Sequence, residues 1–326
     1  VLLRGSIRSK LAYLLLSAAL LASVVFLVIG CPGPEVKLLR QFRAEPTINL
    51  RDERTGAVRK IKFEEYIAGV VAGEMKKGWP LQAYEAQAII ARSFALNTLT
   101  NGGQQPVEQG VISTSHVQAQ AYAPQNITPI IRQAVNNTRG KAVTYKGQFV
   151  DAYFHSAAGG KTTTAVDAGL VEPGSEPPYL KQVHSPENKV APPEIKGWRE
   201  SFSASEVARA ASEAGGGRPI SRVDSFQVGK KDSGGRAVTF VASGGGARME
   251  VPAGKFRLKI GPDRMRSAMI TRLETRGGTV TMVGKGFGHG VGMAQYGAYQ
   301  LAKEGKTADQ IVHYFFKGVK ISKLWK

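Results

Sequence analysis

The chain has 326 residues, of which 42% are hydrophobic and 21% are charged, and this balance excludes low-complexity disorder for most of the protein. Lysine and arginine total 44 against 25 acidic residues, so the formal net charge is +19, which favours polyanionic partners such as nucleic acid, anionic lipid or an acidic cell wall. The single cysteine, Cys31, excludes an internal disulfide and a cysteine-rich metal site.

An uncharged apolar segment near the N-terminus predicts a membrane anchor. No charged residue occurs from Leu11 to Ile29, and this is about the length that a helix needs to cross a hydrocarbon layer of roughly 30 Å. Arg4, Arg8 and Lys10 precede the segment without an acidic residue, and cationic flanks remain in the cytoplasm. We therefore expect a single-pass protein of the cell membrane whose residues after position 31 lie outside the cytoplasm.

Cys31 leaves a second interpretation of this segment open. A bacterial lipoprotein signal also ends at a cysteine, which is acylated and becomes the mature N-terminus, although the apolar run here is longer than the usual signal core of about 7–15 residues. A buried core helix is the third alternative. Because an anchor and a lipid both tether an exterior protein, nucleic acid is disfavoured as a partner and cell-wall polymer is favoured.

The remaining sequence predicts an α+β fold. The predicted domains are an anchor over 1–31, a linker over 32–45 and a folded unit over 46–326 with two lobes and a substrate cleft. Strands are predicted over 47–51, 57–63, 118–122, 142–145 and 149–154, and dominate between 222 and 283. Helices are predicted over 64–72, 80–97, 127–136, 204–214, 293–303 and 308–314, with irregular structure over 164–199. Hairpins and helices without regular βαβ alternation are typical of the α+β class.

Three short segments are dense in glycine around a polar residue. They are Tyr66–Met75, Phe154–Lys161 and Gly286–Gly297. Glycine allows a backbone to approach a ligand closely and to adopt turns that are closed to other residues, although the same pattern also occurs in simple turns. The candidate site residues lie mainly in these three segments.

Glu74 lies between an apolar helix and the Trp79-Pro80 start of the next helix. A carboxyl group that is partly desolvated there would keep its proton near neutrality, as a general acid must. A solvated glutamate at a helix end is the structural alternative. Arg92, on the long helix, is a candidate partner for a carboxylate across the cleft or an ordinary structural arginine.

His155 and His289 are candidate base partners, sugar-binding donors or metal ligands. With His116 they would make a three-histidine metal site, but the folded part contains no His-x-x-x-His pair and no cysteine, which disfavours a metal.

Two further enzyme classes are disfavoured by spacing. Lys161 follows Gly159-Gly160 without the spacing of a phosphate-binding loop. Ser156 lacks the Gly-x-Ser-x-Gly elbow of many serine hydrolases.

At these segments the chain resembles the family of stage II sporulation protein D and the amidase enhancers. The resemblance runs from about Thr47 to the C-terminus. The matching pieces are Glu65-Tyr66-Ile67 through Gly73-Glu74-Met75, Ala86-Gln87-Ala88 through Ala91-Arg92-Ser93, Phe154-His155-Ser156 with Gly159-Gly160-Lys161, and Gly286 through Tyr296-Gly297-Ala298. Several motifs in the same order make the resemblance specific, and the N-terminal anchor is also similar to that of the sporulation members.

The resemblance implies lytic transglycosylase activity on the glycan strands of peptidoglycan, after a partner amidase has removed the stem peptides. It assigns the catalytic role to the glutamate of the Gly-Glu-Met match, which is Glu74 here. It also implies action at the sporulation septum during engulfment, with membrane partners and without a cofactor. The resemblance also implies that some members bind zinc through a cysteine together with histidines. The only cysteine here is in the predicted anchor, so we predict no metal.

The predicted substrate contacts come from the long helix and from the second and third glycine-dense segments. They are Arg92, His155, Ser156, Gly159, Gly160, Lys161, His289, Gln295 and Tyr296. Two non-enzymatic hypotheses stay open. One is a module that binds glycan and stimulates an amidase, and the other is an anion-binding adhesion or scaffold protein that uses the net charge of +19.

Overall fold

The computed structural model describes residues 42–101, 111–114, 120–216 and 219–326. The predicted membrane segment over 11–29, Cys31 and His116 lie outside these ranges. Within the ranges, no helix combines the length and the apolar character that a membrane span requires.

The described residues form an α+β fold, as the sequence predicts. Its helices are α1 (Phe63–Glu74), α2 (Leu81–Asn101), α3 (Pro129–Asn137), α4 (Pro193–Lys196), α5 (Ala204–Gly215), α6 (Ala253–Ile260), α7 (Gln295–Lys303) and α8 (Ala308–Phe315). Its strands are β1 (Thr47–Arg51), β2 (Val58–Lys62), β3 (Val111–Ser113), β4 (Lys141–Tyr145), β5 (Gln148–Phe149), β6 (Phe154–His155), β7 (Trp198–Ser203), β8 (Ser225–Val228), β9 (Thr239–Gly244), β10 (Ala247–Pro252), β11 (Ile270–Arg276), β12 (Thr279–Gly284), β13 (Met293–Ala294) and β14 (Lys320–Lys323).

The strands assemble into small sheets around the helices. The strand orders are β2-β1-β3, β14-β4-β5, β10-β9-β8 and β11-β12-β7, together with the two-stranded pair β13-β6. Most neighbours are antiparallel, whereas β1 with β3 and β6 with β13 are parallel. A parallel pair requires a long connection, and the connection from β6 to β13 contains most of the C-terminal half of the chain.

Two separate hydrophobic cores divide the fold. The first core takes its buried residues from 42–195 and from 291–325, and the second core takes them from 198–282. The chain therefore leaves the first core after Ile195, builds the second core and returns at Val291. The Gly286–Gly297 segment contains the point where the chain returns to the first core. This glycine-dense candidate segment therefore lies between the two cores.

Helix α2 is the central element of the first core. Its alanines Ala83, Ala86, Ala88 and Ala91 are completely buried, and it packs against α1, α3, α7, α8 and β4. Small side chains permit this close approach from several sides, and alanine also has the highest intrinsic helix propensity. The helix predicted from Pro80 onward is confirmed, with its first residue at Leu81.

The second core contains a helix in the stretch where strands were predicted to dominate. Helix α6 follows Pro252 and buries Ala253, Phe256 and Ile260 on one face. These positions recur at the three- and four-residue spacing of an amphipathic helix. The β-rich sequence on both sides of this short stretch obscures that signal.

Two other differences come from non-local pairing. Strand β7 lies at the end of the stretch that was predicted as irregular, and it pairs with β12. Strand β14 follows the last helix and pairs with β4. The strand predicted over 118–122 is absent from its described part, since residues 120–122 have no regular secondary structure.

Candidate active site

Glu74 is the last residue of α1 and is half-buried. Its Oε1 accepts a hydrogen bond of 2.7 Å from the backbone N–H of Ala121. A Cβ atom at the neighbouring Gly73 would lie 2.6 Å from the carbonyl oxygen of Ala121, so only glycine allows the two backbones to come this close. The Gly-Glu pair thus fixes the Glu74 carboxyl group against the residue 120–122 segment.

Two tyrosines stack on each other near the segment that holds this carboxyl group. Tyr66 is buried, and its ring stacks on that of Tyr122 with centroids 5.7 Å apart. Burial raises the pKa of Tyr66, and the negative charge of Glu74 raises it further. The Tyr66 hydroxyl therefore stays protonated near the carboxyl group.

Tyr66 was not predicted as a site residue. It lies eight positions before Glu74 on α1, a spacing of about two turns that places both residues on similar sides of the helix. This spacing is the sequence signal that could have predicted Tyr66 as a neighbour of the site. The Tyr122 ring also lines a groove of about 740 Å³, together with Arg54 and Arg59.

The loop after Glu74, which leads from α1 to α2, packs against α7. The ring of Trp79 stacks on Tyr299 at 4.8 Å and packs against Tyr296 at 4.9 Å between centroids. The hydroxyl of Tyr84 donates a 2.6 Å hydrogen bond to the carbonyl oxygen of Lys76 and holds the loop from the other side. The first glycine-dense segment is thereby joined to Tyr296 in the third.

The second and third glycine-dense segments lie side by side. Strands β6 and β13 pair in parallel, with His155 opposite Ala294. Ala157 forms a bridge with Phe287, and the N–H of Tyr296 donates to the carbonyl oxygen of Ser156 at 3.0 Å. The structure thus brings together two motifs that are more than a hundred residues apart in the chain.

His155 and His289 are in contact, with ring centroids 5.5 Å apart. His155 Nδ1 donates to the carbonyl oxygen of Val291 at 3.0 Å. His289 Nε2 donates to the carbonyl oxygen of Phe154 at 2.9 Å, and its Nδ1 accepts from the N–H of Val291 at 3.1 Å. Both ring nitrogens of His289 are therefore bonded to backbone, so this imidazole supports the site rather than transferring protons.

Both imidazoles are uncharged near neutral pH. Burial lowers the pKa of His289 to about 3, and nearby Arg257 and Arg236 lower it as well. Burial, the neighbouring His289 and Arg236 lower the pKa of His155 well below its ordinary value. His155 Nε2 has no hydrogen-bond partner among the residues that the structure describes.

The glycines of the third segment make room for side chains. Gly288 and Gly290 have positive φ angles of 113° and 88°. A Cβ atom would lie 2.6 Å from Cβ of His155 at the first position and 2.6 Å from Cζ of Arg236 at the second. Arg236 was not predicted as a site residue, because it lies in the second core and is far from the motif in sequence.

The amides of Gly159 and Gly160 bind an internal carboxylate. Both donate to Oε1 of Glu187, at 2.5 and 3.1 Å, and the hydroxyl of Ser185 donates to Oε2. Glu187 is buried and was not predicted from the sequence. These two amides consequently shape the loop, and we do not assign them to substrate binding.

Arg92 has a structural place in the first core. Its side chain is completely buried and pairs with Glu64 through hydrogen bonds of 2.8 and 3.2 Å. It also donates to the carbonyl oxygen of Lys141 at 2.7 Å. A guanidinium enclosed in this way cannot reach a polymer, so the structural alternative applies and Arg92 is left out of the substrate site.

The remaining predicted residues surround the paired segments. Lys161 Nζ donates to the hydroxyl of Ser233 at 3.1 Å, Ser156 is half-buried, and Tyr296 is buried beneath Trp79. Gln295 is also buried, and its Nε2 has no partner in the described part of the chain. Across the described ranges, no three His, Cys, Asp or Glu side chains cluster closely enough to hold a metal ion.

Comparisons with known proteins decide the family. A model described as stage II sporulation protein matches residues 51–145, which include Glu74. The stage II sporulation protein D of Bacillus subtilis (strain 168) is 31% identical over 303 residues, which cover 89% of this chain and 83% of that protein. This chain belongs to the stage II sporulation protein D family. The resemblance predicted from the glycine-dense motifs is confirmed.

Two further relatives of this sporulation family member support the assignment. The stage II sporulation protein D of Bacillus amyloliquefaciens is 32% identical over 280 residues, covering 82% of this chain and 76% of that protein. A protein named amidase enhancer from Bacillus subtilis (strain 168) is 24% identical over 295 residues, covering 78% of this chain and 40% of that protein.

The neutral histidine pair predicts a loss of stability in mild acid. The folded-state pKa of each imidazole is depressed, so the unfolded chain binds a proton as the pH falls below about 6.5 while the folded chain does not. The full stability is present above that pH, and each histidine contributes a loss of up to about 1.4 kcal/mol per pH unit below it. Urea unfolding at pH 7.5 and pH 5.0 measures the free energy.

Matched variants isolate this contribution from that of the carboxylates. His289→Gln should reduce the pH dependence, whereas His184→Gln, at an exposed position, should leave it unchanged. An equal pH dependence in wild type and His289→Gln would contradict the assignment.

Proposed function

We propose that this member of the stage II sporulation protein D family is a membrane-anchored lytic transglycosylase, working outside the cytoplasm at the sporulation septum. Its substrate would be peptidoglycan glycan strands from which an amidase has removed the stem peptides. The observation that carries the proposal is the setting of Glu74. This half-buried carboxyl group is oriented by the Ala121 N–H, and its charge acts on the buried Tyr66.

One carboxyl group is sufficient for this reaction. Protonated Glu74 donates its proton to the oxygen between N-acetylmuramic acid and N-acetylglucosamine, and the bond from this oxygen to C1 of the muramic residue breaks. The resulting carboxylate takes the proton from the 6-hydroxyl of the muramic residue, whose oxygen closes on C1 to give a 1,6-anhydro end. Because the substrate supplies its own nucleophile, the second carboxylate of a water-dependent glycosidase is not required.

Charge and shape support a polymeric anionic substrate. Without the predicted cytoplasmic residues Arg4, Arg8 and Lys10, the formal net charge falls from +19 to +16, and it attracts a strand that carries one free carboxylate per peptide-stripped muramic residue. The groove of about 740 Å³ beside Tyr122 is within the usual size range of ligand sites. Tyr122 follows Ala121, the residue that orients Glu74, so the groove and the carboxyl group share one segment.

Product analysis tests the proposal. Peptide-free glycan incubated with residues 45–326 should give fragments with 1,6-anhydro ends, detected by mass spectrometry as a loss of one water relative to hydrolysis products. Fragments with ordinary reducing ends would show that the protein is a hydrolase and not a transglycosylase. Intact strands would overturn the enzymatic proposal.

The similarity to the amidase enhancer favours a second candidate function. In this alternative the protein binds glycan and stimulates a cell-wall amidase without cleaving strands itself. Glu74→Gln separates the two functions, because it should stop strand cleavage but leave stimulation of a purified amidase intact. Amidase stimulation with no anhydro product from the wild type would favour the alternative.

A further inference from the structure

A cavity of about 130 Å³ lies where the two cores meet, and Glu74 is not among the residues that line it. Its lining includes Asp167, from the stretch that builds the first core, and His289, from the segment that returns to that core. Arg236, Arg257 and Leu258 come from the stretch that builds the second core. Leu258 is 63% exposed, so the cavity opens to solvent beside α6.

Arg236 is enclosed at the inner end of this cavity with most of its donors unused. It is 1% exposed, and its Nη2 donates to the carbonyl oxygen of Ala158 at 2.5 Å. Its Nε and Nη1 have no hydrogen-bond partner in the part of the chain that the structure describes. A guanidinium has five N–H donors, and leaving buried donors unpaired is costly.

The nearest acidic side chains do not bond to this guanidinium. Asp232 and Glu187 attract Arg236 electrostatically. Asp232, however, accepts from Thr163, Gln182 and backbone N–H groups. Glu187 is bonded to Ser185 and to the amides of Gly159 and Gly160. Both carboxylates are therefore bonded to other groups.

A second buried arginine adds charge to the same cavity. Arg257 is 9% exposed and donates only to carbonyl oxygens, those of Pro262, Met265 and Arg266. Burial lowers the pKa of Arg236 and of Arg257 to about 10, so both remain positively charged at neutral pH. Two buried like charges cost several kcal/mol unless an anion compensates them, and Asp167 is the one carboxylate in the described lining.

We propose that this cavity binds a small carboxylate, with Arg236 as its principal donor. The walls formed by Ala168, Leu170, Ala237 and Leu258 are apolar, which suits a carboxylate with a short carbon chain better than an inorganic oxyanion. A cavity of about 150 Å³ holds benzene, so the volume here accommodates roughly six non-hydrogen atoms. Lactate is an anion of this size.

Two sources present this chemistry. One is the lactyl group of a muramic residue whose peptide has been removed, and this source rests on the proposed function. The other is a free short-chain hydroxy acid. In the first case Arg236 would distinguish stripped strands from peptide-bearing strands, because the amide bond to the peptide removes the negative charge.

Titration of the purified full chain with D-lactate tests the site. At pH 7 and constant ionic strength, the melting temperature should rise with saturation, by about 3 °C at ten times the Kd. Chloride at the same ionic strength should not reproduce the rise. The ¹H-¹⁵N signal of Arg236 Nε, assigned by its loss in Arg236→Met, should move along the same saturation curve.

Two variants locate the effect. Arg236→Met removes the buried charge while keeping a side chain of similar length, and it should abolish the lactate response. Arg209→Met removes the same charge from an exposed position of α5, and this variant should keep the lactate response. If only ordered water fills the cavity, the wild type should show no saturable response, and that result would overturn the proposal. An unchanged response in Arg236→Met would also overturn it.

The source is identified with the cleavage-deficient variant Glu74→Gln. If stripped glycan moves the Arg236 signal and peptide-bearing glycan does not, the lactyl group is the ligand. If only free lactate moves it, the site binds a free acid, and the carboxylate proposal still holds. Lactate binding is measured without any cleavage, so a failure of the proposed transglycosylase activity is distinguishable from a failure of this site.

Discussion

Glu74→Gln is expected to lower the rate of strand cleavage by about 10²–10⁴-fold without unfolding the protein. The glutamine amide has nearly the same shape, and its oxygen can still accept the Ala121 N–H that orients Glu74. It can neither donate an acidic proton to the glycosidic oxygen nor take one from the 6-hydroxyl. The release of 1,6-anhydro ends per minute measures the rate, and thermal unfolding by circular dichroism checks the fold.

Glu65→Gln is the matched control for this experiment. Glu65 is on the same helix, but its side chain is 44% exposed and pairs with Arg132 at 3.0 Å. Surface ion pairs contribute about 0–1 kcal/mol, so this variant should cleave at the wild-type rate and keep its stability. A Glu74→Gln protein that cleaves as fast as Glu65→Gln would exclude Glu74 as the acid.

Arg92→Ala is expected to destabilise the fold by about 3–5 kcal/mol. The Glu64 carboxylate is 5% exposed and accepts hydrogen bonds from Arg92, the Gly140 N–H and the indole N–H of Trp325. Removing Arg92 leaves that carboxylate buried without its cation and opens a cavity beside α2. Urea unfolding followed by tryptophan fluorescence measures the free energy.

An exposed ion pair gives the comparison for that value. Arg272 and Glu274 pair on β11, and their side chains are 63% and 49% exposed. Arg272→Ala should therefore cost less than about 1 kcal/mol. If Arg92→Ala and Arg272→Ala had equal effects, the Arg92–Glu64 pair would not be the internal support that its burial indicates.

Residues that serve the fold and residues that serve chemistry can have the same appearance in a motif. Arg92 and Glu74 both lie in the matching pieces of the family pattern, yet Arg92 joins Glu64 inside the first core, whereas Glu74 is half-buried at a helix end. Gly159 and Gly160 are likewise bonded to Glu187. Glycine density in this family member can therefore report backbone packing without ligand binding.

The local pattern of the sequence determined the elements that depend on neighbouring residues. The helices α1, α2, α5, α7 and α8 follow from apolar spacing, alanine content and flanking glycine or proline, and the first hairpin follows from polar alternation around a turn. The α+β class also came from short stretches, whereas the catalytic role predicted for Glu74 came from the family resemblance. For each element the signal lies within a few neighbouring residues, although the packing that stabilises the element does not.

Only the tertiary structure decided the partners of the buried charges. Glu64 and Arg92 are 28 residues apart in the sequence, and Arg236 and Ala158 are 78 residues apart. Glu187 accepts a hydrogen bond from Gly159, which is 28 residues away. A buried charge is stabilised by whichever groups the packed chain places around it, and no local pattern encodes those groups. The inserted second core brings Arg236 beneath Gly290, so the proposed carboxylate site exists only after both cores have assembled.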